Sequence, residues 1–196
     1  MTSPRVLLFA RHGETEWNAT GRWQGQTDVP LNERGRAQAE ALGAWLRGQR
    51  VEAIASSDLS RARETGEIAG RAIGLTVSYV DAGFRERAYG IFEGLTRDEC
   101  IALYPAEWER FERDPNHLPE GVETIDHLAE RMMAGLRRVA ALDERVWLIV
   151  SHGRAIRALA SLVSNAVTAP LANGAAYRFV LERGEPVGAS LVYSGE

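Results

Sequence analysis

The chain contains no lysine: all 23 of its basic residues are arginine. That absence excludes Schiff-base chemistry and any phosphate loop built on a lysine. It has one cysteine, Cys100, so neither an internal disulfide nor a multi-thiolate metal cluster can form, and we expect a reducing, cytoplasmic setting. No apolar run approaches the roughly 18 residues of a membrane span. The residues before Arg11 are too few for the apolar stretch of a secretion signal, so we expect neither a membrane partner nor export. With 27 acidic residues the net charge is −4, a field that does not attract polyanions, and we expect no nucleic-acid partner. Histidine is scarce too. The four positions, 12, 117, 127 and 152, show none of the short ligand spacings, so we expect no metal site and no bound cofactor.

What is present alternates. Val6-Leu7-Leu8-Phe9-Ala10 is a continuous apolar run, as expected of a strand covered on both faces. Residues 33–49 place Ala37, Ala41, Ala44 and Trp45 at helical spacing. The pattern predicts further strands at 51–56, 75–80 and 146–151, and helices at 59–73, 124–142 and 154–164. Strands at 175–182 and 187–193, joined around Gly184-Glu185-Pro186, read as an antiparallel edge. From Asp81 to Val122, Gly and Pro punctuate short helical pieces near 96–104 and 106–112, which we read as an excursion over one rim of the sheet. The predicted fold is α/β: a three-layer α/β/α sandwich around a mostly parallel mixed sheet, in a single domain over 1–196 with its rim or lid excursion at about 81–123. One edge strand suits a monomer or a homodimer equally.

One internal echo points to function. Phe9-Ala10-Arg11-His12-Gly13 and Ile149-Val150-Ser151-His152-Gly153, 140 residues apart, each run from an apolar strand into His-Gly. Ligands of open α/β sheets sit beyond the carboxyl ends of strands, so neighbouring strands would present both histidines to one pocket. Residues 1–63 carry nine Arg against seven Asp and Glu, a local +2 within an acidic chain. Guanidinium groups bind phosphate bidentately at any working pH, which predicts a small phosphorylated ligand. Duller readings compete: Arg63 pairs with Glu67 one helical turn away, and His12 is a hydrogen-bonded core histidine. As a nucleophile, His12 needs an acceptor that fixes its tautomer, and the sequence does not name one.

These residues resemble the signature of the histidine phosphatase superfamily, the phosphoglycerate-mutase-like enzymes. The likeness begins in Arg11-His12-Gly13-Glu14-Thr15-Glu16-Trp17-Asn18 and continues through Gly25, Asp28-Val29-Pro30-Leu31 and Gly35. It recurs in Ser57-Asp58-Leu59-Ser60-Arg61-Ala62 with Thr65, in Glu86-Arg87-Ala88-Tyr89-Gly90 with Phe92-Glu93-Gly94, and in Ser151-His152-Gly153. The resemblance implies that His12 is phosphorylated, that Arg11, Arg61 and His152 line the phosphoryl pocket as guanidinium and imidazolium donors, and that Glu86 is the proton donor. It places Asn18 in the phosphate pocket. Around it, Arg22, Trp23, Gln24, Gly25, Arg87, Tyr89 and Gly153 are the substrate-binding candidates, and Trp108, Phe111, Arg113 and His117 are candidates for specificity. The alternatives are that Asn18 only caps a turn, that Glu86 only pairs with Arg85 or Arg87, that Glu14 is structural and that Trp17 and Trp23 only pack.

The reaction expected is metal-free hydrolysis of a small phosphorylated metabolite through a phosphohistidine. The alternative is a cofactor-dependent phosphoglycerate mutase, and a third reading is a non-catalytic phosphate-binding protein. Only 66 residues separate Glu86 from His152, less than the glycolytic mutases of the family would imply, whereas Glu86-Arg87-Ala88-Tyr89-Gly90 is closer to their version of that block.

Overall fold

The computed structural model of the protein describes residues 5–114, 118–163 and 169–195. Strands β1 (Arg5–Arg11), β2 (Ala53–Ser56), β3 (Val77–Val80), β4 (Val146–Ser151), β5 (Ala176–Glu182) and β6 (Glu185–Tyr193) make one sheet in the order β3-β2-β4-β1-β5-β6. The first four in that order are parallel, and β5 runs against both β1 and β6. Helices α1 (Glu16–Ala19), α2 (Glu33–Leu46), α3 (Ser60–Arg71), α4 (Arg97–Leu103), α5 (Pro105–Arg113), α6 (Ile125–Ala140) and α7 (Gly153–Ser161) surround it.

The period of two along β1 builds the layers. Leu7 and Phe9 face a core closed by Leu128, Met132 and Leu136 of α6 and Ile156 and Leu159 of α7. Val6, Leu8 and Ala10 face the opposite core, closed by Leu42 and Leu46 of α2 and Ala62 and Ala69 of α3. Both faces of the central strands are thus dry, which is why their apolar runs are continuous. Leu7, Leu8 and Phe9 are fully buried or nearly so, each burial contributing roughly 2 kcal/mol. The expected α/β/α sandwich with a mixed, mostly parallel sheet is present.

The edges of elements moved by a few residues. β3 begins at Val77, not Leu75, and α7 begins at Gly153, while residue 164 of the predicted helix lies outside the described residues. Glu185 and Pro186 belong to β6 rather than to its connection. Pro186 sits where the β5–β6 register shifts, on the sheet edge, the one setting in which a strand tolerates the lost N–H. The excursion is more regular than its punctuation implied. Short 3-10 turns at Ala82–Phe84 and Gly90–Phe92 lead into α4 and α5, and Tyr89, Phe92, Cys100 and Trp108 form a small apolar cluster of their own. Among the described residues no helix is long and apolar enough to cross a membrane.

Register positions the site. β1 and β4 are adjacent, parallel and aligned with Arg11 opposite Ser151. The next residues, His12 and His152, therefore leave the sheet side by side, and the His12 N–H donates to the Ser151 carbonyl at 3.0 Å.

Candidate active site

The His12 ring is 2% exposed and lies 5.0 Å, centroid to centroid, from that of His152. Its Nδ1 stands 2.6 Å from the carbonyl oxygen of Gly13, which accepts the ring proton and supplies the tautomer-fixing acceptor. Nε2 then carries the free lone pair. Burial, reinforced by the charges of Arg61 and Arg11, holds the His12 pKa well below its ordinary value, so the ring is neutral. The loop is held by its glycine. A Cβ on Gly13 would lie 2.2 Å from the Gly35 carbonyl oxygen at the start of α2, and only hydrogen fits there. Thr65 of α3 accepts from the Gly13 N–H at 3.0 Å and donates to the Arg61 carbonyl of the same helix, tying α3 to the turn that follows β1.

His152 is fully buried, and neither ring nitrogen has a hydrogen-bond partner. Burial and the charges of Arg61 and Arg11 press its pKa well down. In the free site burial first, and then the neighbouring guanidinium groups, disfavour the imidazolium form of His152, and the neutral ring can donate through one nitrogen.

Those guanidinium groups come from β1 and α3. Arg61 is fully buried, donates from its two Nη atoms to the carbonyls of Thr27 and Gly25 at 2.8 Å each, and has its pKa lowered to about 10 by burial. Arg11 donates to the Leu171 carbonyl at 2.6 Å, and burial lowers its pKa as well. The Nε atoms of both are buried without a partner among the described residues. Buried donors left unpaired are costly, and both residues line the cavity that His12 lines, which suits that cavity to anionic oxygens.

Glu86 does not pair with its sequence neighbours. Arg85 binds Asp58 through two bonds at 2.8 and 2.5 Å, and the Glu86 carboxylate accepts instead from backbone N–H groups: Arg87 at 2.8 Å, Ala155 at 3.0 Å and Arg154 at 3.1 Å. Two of these belong to the first turn of α7, the helix that His152 precedes. The carboxylate is thereby fixed to the same helix end as the second histidine.

A cavity of about 300 Å³ has Arg11, His12, Arg61 and Glu86 in its wall, whereas the fully buried His152 does not line it. Asn18 lines it and also caps: its Oδ1 accepts from the N–H of Thr15 at 3.3 Å, leaving Nδ2 as the atom it can offer a ligand. Gln24 lines it with its carbonyl taken by Thr15 at 2.9 Å, and the Gly25 carbonyl serves Arg61. Trp17 and Trp23 form part of the wall, and Trp23 packs on Tyr89 at 4.6 Å. Burial raises the Tyr89 pKa to about 12.

Arg22 differs from expectation: it borders the cavity, but its guanidinium is bound to Glu99 at 2.6 and 3.2 Å and to the Gly94 carbonyl at 2.7 Å, so its charge serves to tie the loop to α4. Arg87 and Gly153 line neighbouring cavities and not this one. Trp108 is buried in packing, Phe111 borders the same cavity as Arg87, Arg113 is exposed and paired with Glu109, and His117 lies outside the described residues. The expected Arg63–Glu67 ion pair does not form; Arg36 takes the adjacent Glu64 at 2.7 Å. Glu14 is structural, accepting from the Asn32 side chain at 3.0 Å.

Some residues of the site left no mark in the sequence. Leu171 holds Arg11 through a backbone oxygen, and Asn173 donates to the His12 carbonyl at 3.0 Å and to Asn18 at 3.2 Å. Arg131 of α6 donates to the carbonyls of Gly83, Arg85 and Glu86 while paired with Glu123. Among the described residues no group of three or more His, Cys, Asp or Glu could hold a metal ion.

Comparison with known proteins agrees with this geometry. Residues 7–189 match the histidine phosphatase superfamily, branch 1. The uncharacterized phosphatase PhoE of Bacillus subtilis is 39% identical over 160 residues, covering 81% of this chain and 77% of that protein. The probable phosphoglycerate mutase GpmB of Citrobacter koseri is 36% identical over 164 residues, covering 80% and 74%. Among solved structures, a mycobacterial glucosyl-3-phosphoglycerate phosphatase with VO3 superposes with a TM-score of 0.81 at 32% identity, covering 95% of this chain and 97% of that one.

Proposed function

The chain belongs to the histidine phosphatase superfamily and is a phosphatase enzyme, and from that premise we propose that it hydrolyses a small phosphorylated metabolite, without metal, through a phosphohistidine on His12. The observation that carries the reading is the buried His12 ring, with its Nδ1–H on the Gly13 carbonyl, in the wall of one cavity with Arg11, Arg61 and Glu86.

In the first step Nε2 attacks phosphorus in line, the bond between phosphorus and the ester oxygen breaks, and Glu86 supplies the proton to the departing alkoxide. Charge that grows on the equatorial oxygens meets Arg11, Arg61 and one N–H of His152, donors fixed before substrate arrives. In the second step water attacks the phosphohistidine, Glu86 takes its proton, and phosphate leaves with Nε2 restored. Positive charge that a metal would supply elsewhere comes here from two guanidinium groups, which supports the metal-free reading. Among the substrate-binding candidates in the cavity wall, Asn18 and Gln24 carry side-chain amides to position the phosphoryl group.

A mutase reading is favoured by the Glu86-Arg87-Ala88-Tyr89-Gly90 block and differs only in what accepts the phosphoryl group. The test is phosphate release from a panel of phosphate esters in chelator, with and without 3-phosphoglycerate and a 2,3-bisphosphoglycerate primer. Release that persists in chelator and vanishes in His12→Ala is expected. Rapid formation of 2-phosphoglycerate with little free phosphate would overturn the phosphatase reading, and loss of activity in chelator would overturn the metal-free one.

A further inference from the structure

We propose that Glu93 is a positioning residue for the phosphoryl pocket: its carboxylate fixes the 25–27 loop, whose carbonyl oxygens in turn hold the guanidinium of Arg61 in place. This rests on the phosphatase reading above and adds a residue that the reading did not contain.

Arg61 is fully buried, and both of its Nη atoms donate to backbone carbonyls, those of Thr27 and Gly25, at 2.8 Å each. A carbonyl steadies a guanidinium only as firmly as its own loop is steadied, and residues 25–27 belong to no helix or strand. Glu93 supplies the hold. Its Oε1 accepts from the N–H of Gln26 at 3.1 Å, and its Oε2 from the N–H and the hydroxyl of Thr27 at 3.0 and 2.6 Å. Oε1 also accepts from the N–H of Tyr89 at 2.9 Å, so one carboxylate joins the loop to the segment that carries Glu86. Hydrogen bonds to a carboxylate are roughly twice as strong as those between neutral groups.

The surrounding chain is shaped to this carboxylate. Gly25 has φ +53°, and a Cβ on it would lie 1.9 Å from Oε1 of Glu93, so a side chain at position 25 would take the place that the carboxylate fills. The Gly94 N–H donates to the Trp23 carbonyl at 2.8 Å and the Trp23 N–H to the Leu95 carbonyl at 2.9 Å, which lays the backbone beside Glu93 against the start of the loop. Charge acts in the same direction. Burial lowers the Arg61 pKa to about 10, and Glu86, Asp28 and Glu93 are the negative charges that oppose the fall.

The loop also touches the acid: Gln26 Nε2 donates to the Glu86 carbonyl at 3.2 Å. The leaving group separates the two routes. Arg61 meets the phosphoryl oxygens common to every ester, whereas Glu86 meets only the departing oxygen.

The experiment measures kcat and KM for nitrophenyl phosphate and an alkyl phosphate in Glu93→Gln, Arg61→Gln and the double variant. Glutamine keeps the size of Glu93 but turns an amide N–H toward the donors of the loop. Glu93→Gln should lose about tenfold in kcat/KM, the size of one charged hydrogen bond, by the same factor on both esters. The double variant should lose no more than about twofold beyond Arg61→Gln alone, because both residues act through one guanidinium. Losses that multiply in the double variant, a loss confined to the alkyl ester, or a lowered Tm with kcat/KM unchanged would overturn the proposal. Should Glu93→Gln not fold, Thr27→Val removes the 2.6 Å bond alone and should lose about threefold on both esters, and no loss there would overturn it equally. Orthovanadate binding, read by the rise in Tm it causes, needs no turnover. A rise that shrinks in Glu93→Gln, with no phosphate released from any ester by the unaltered protein, would sink the hydrolytic reading and leave Glu93 its role. Turnover by the unaltered protein, with kcat/KM and the vanadate shift both intact in Glu93→Gln, would do the reverse.

Discussion

His12 and His152 are each kept neutral by burial and by the same two arginines, and this makes the fold sensitive to acid. In the unfolded chain an imidazole takes up a proton below about pH 6.5, which the buried rings resist. The unfolded state therefore binds more protons there. Stability is whole above the ordinary histidine pKa and is lost as pH falls below it, by up to about 1.4 kcal/mol per pH unit for each ring. In phosphate-free buffer Tm should fall from about pH 7.5 to 5.5, and His152→Ala should flatten the fall. Equal slopes in both proteins would show that the rings are protonated in the fold. The tautomer-fixing acceptor at His12 was illegible beforehand because it is a backbone oxygen, one residue along, whose direction depends on the turn.

At the scale of elements, the segment carrying Glu86 has no regular structure of its own and is held from two sides. The α7 N-terminus fixes the carboxylate, and Arg131 of α6 fixes the backbone, donating to Gly83, Arg85 and Glu86 while bound to Glu123 at 2.7 and 2.8 Å. Arg131 is thus a positioning residue for the acid. Glu86→Gln should slow alkyl phosphates far more than nitrophenyl phosphate, whose leaving group needs little protonation. Arg131→Ala should show the same leaving-group dependence in weaker form, about tenfold on alkyl esters, with partial recovery in Arg131→Lys. Equal losses on both esters would reduce Arg131 to a structural role and would remove Glu86 as acid. The echo of two strands ending in His-Gly was readable because doubly covered strands spell themselves as apolar runs. The 170–174 loop and Arg131 were not, since they act through carbonyl oxygens that any residue carries and through partners distant in sequence.

Across the whole molecule, sheet order turns separated motifs into one site. The parallel pairing of β1 with β4 brings positions 12 and 152 together, and α3 brings Arg61 to them. The excursion from Asp81, expected to be irregular, organises around Phe92 and Trp108, whose rings meet at 5.3 Å, and so presents Tyr89 and Phe111 as fixed walls. The short helical pieces read near 96–104 and 106–112 are α4 and α5. The measurement that tests the account most directly is rapid quench in alkaline detergent during turnover of a 32P-labelled phosphate ester, followed by digestion at alkaline pH and location of the label. The account requires an acid-labile, base-stable adduct on His12 that forms before phosphate appears and is absent from His12→Ala. Label on another residue, or steady turnover with none bound at any time, would contradict it.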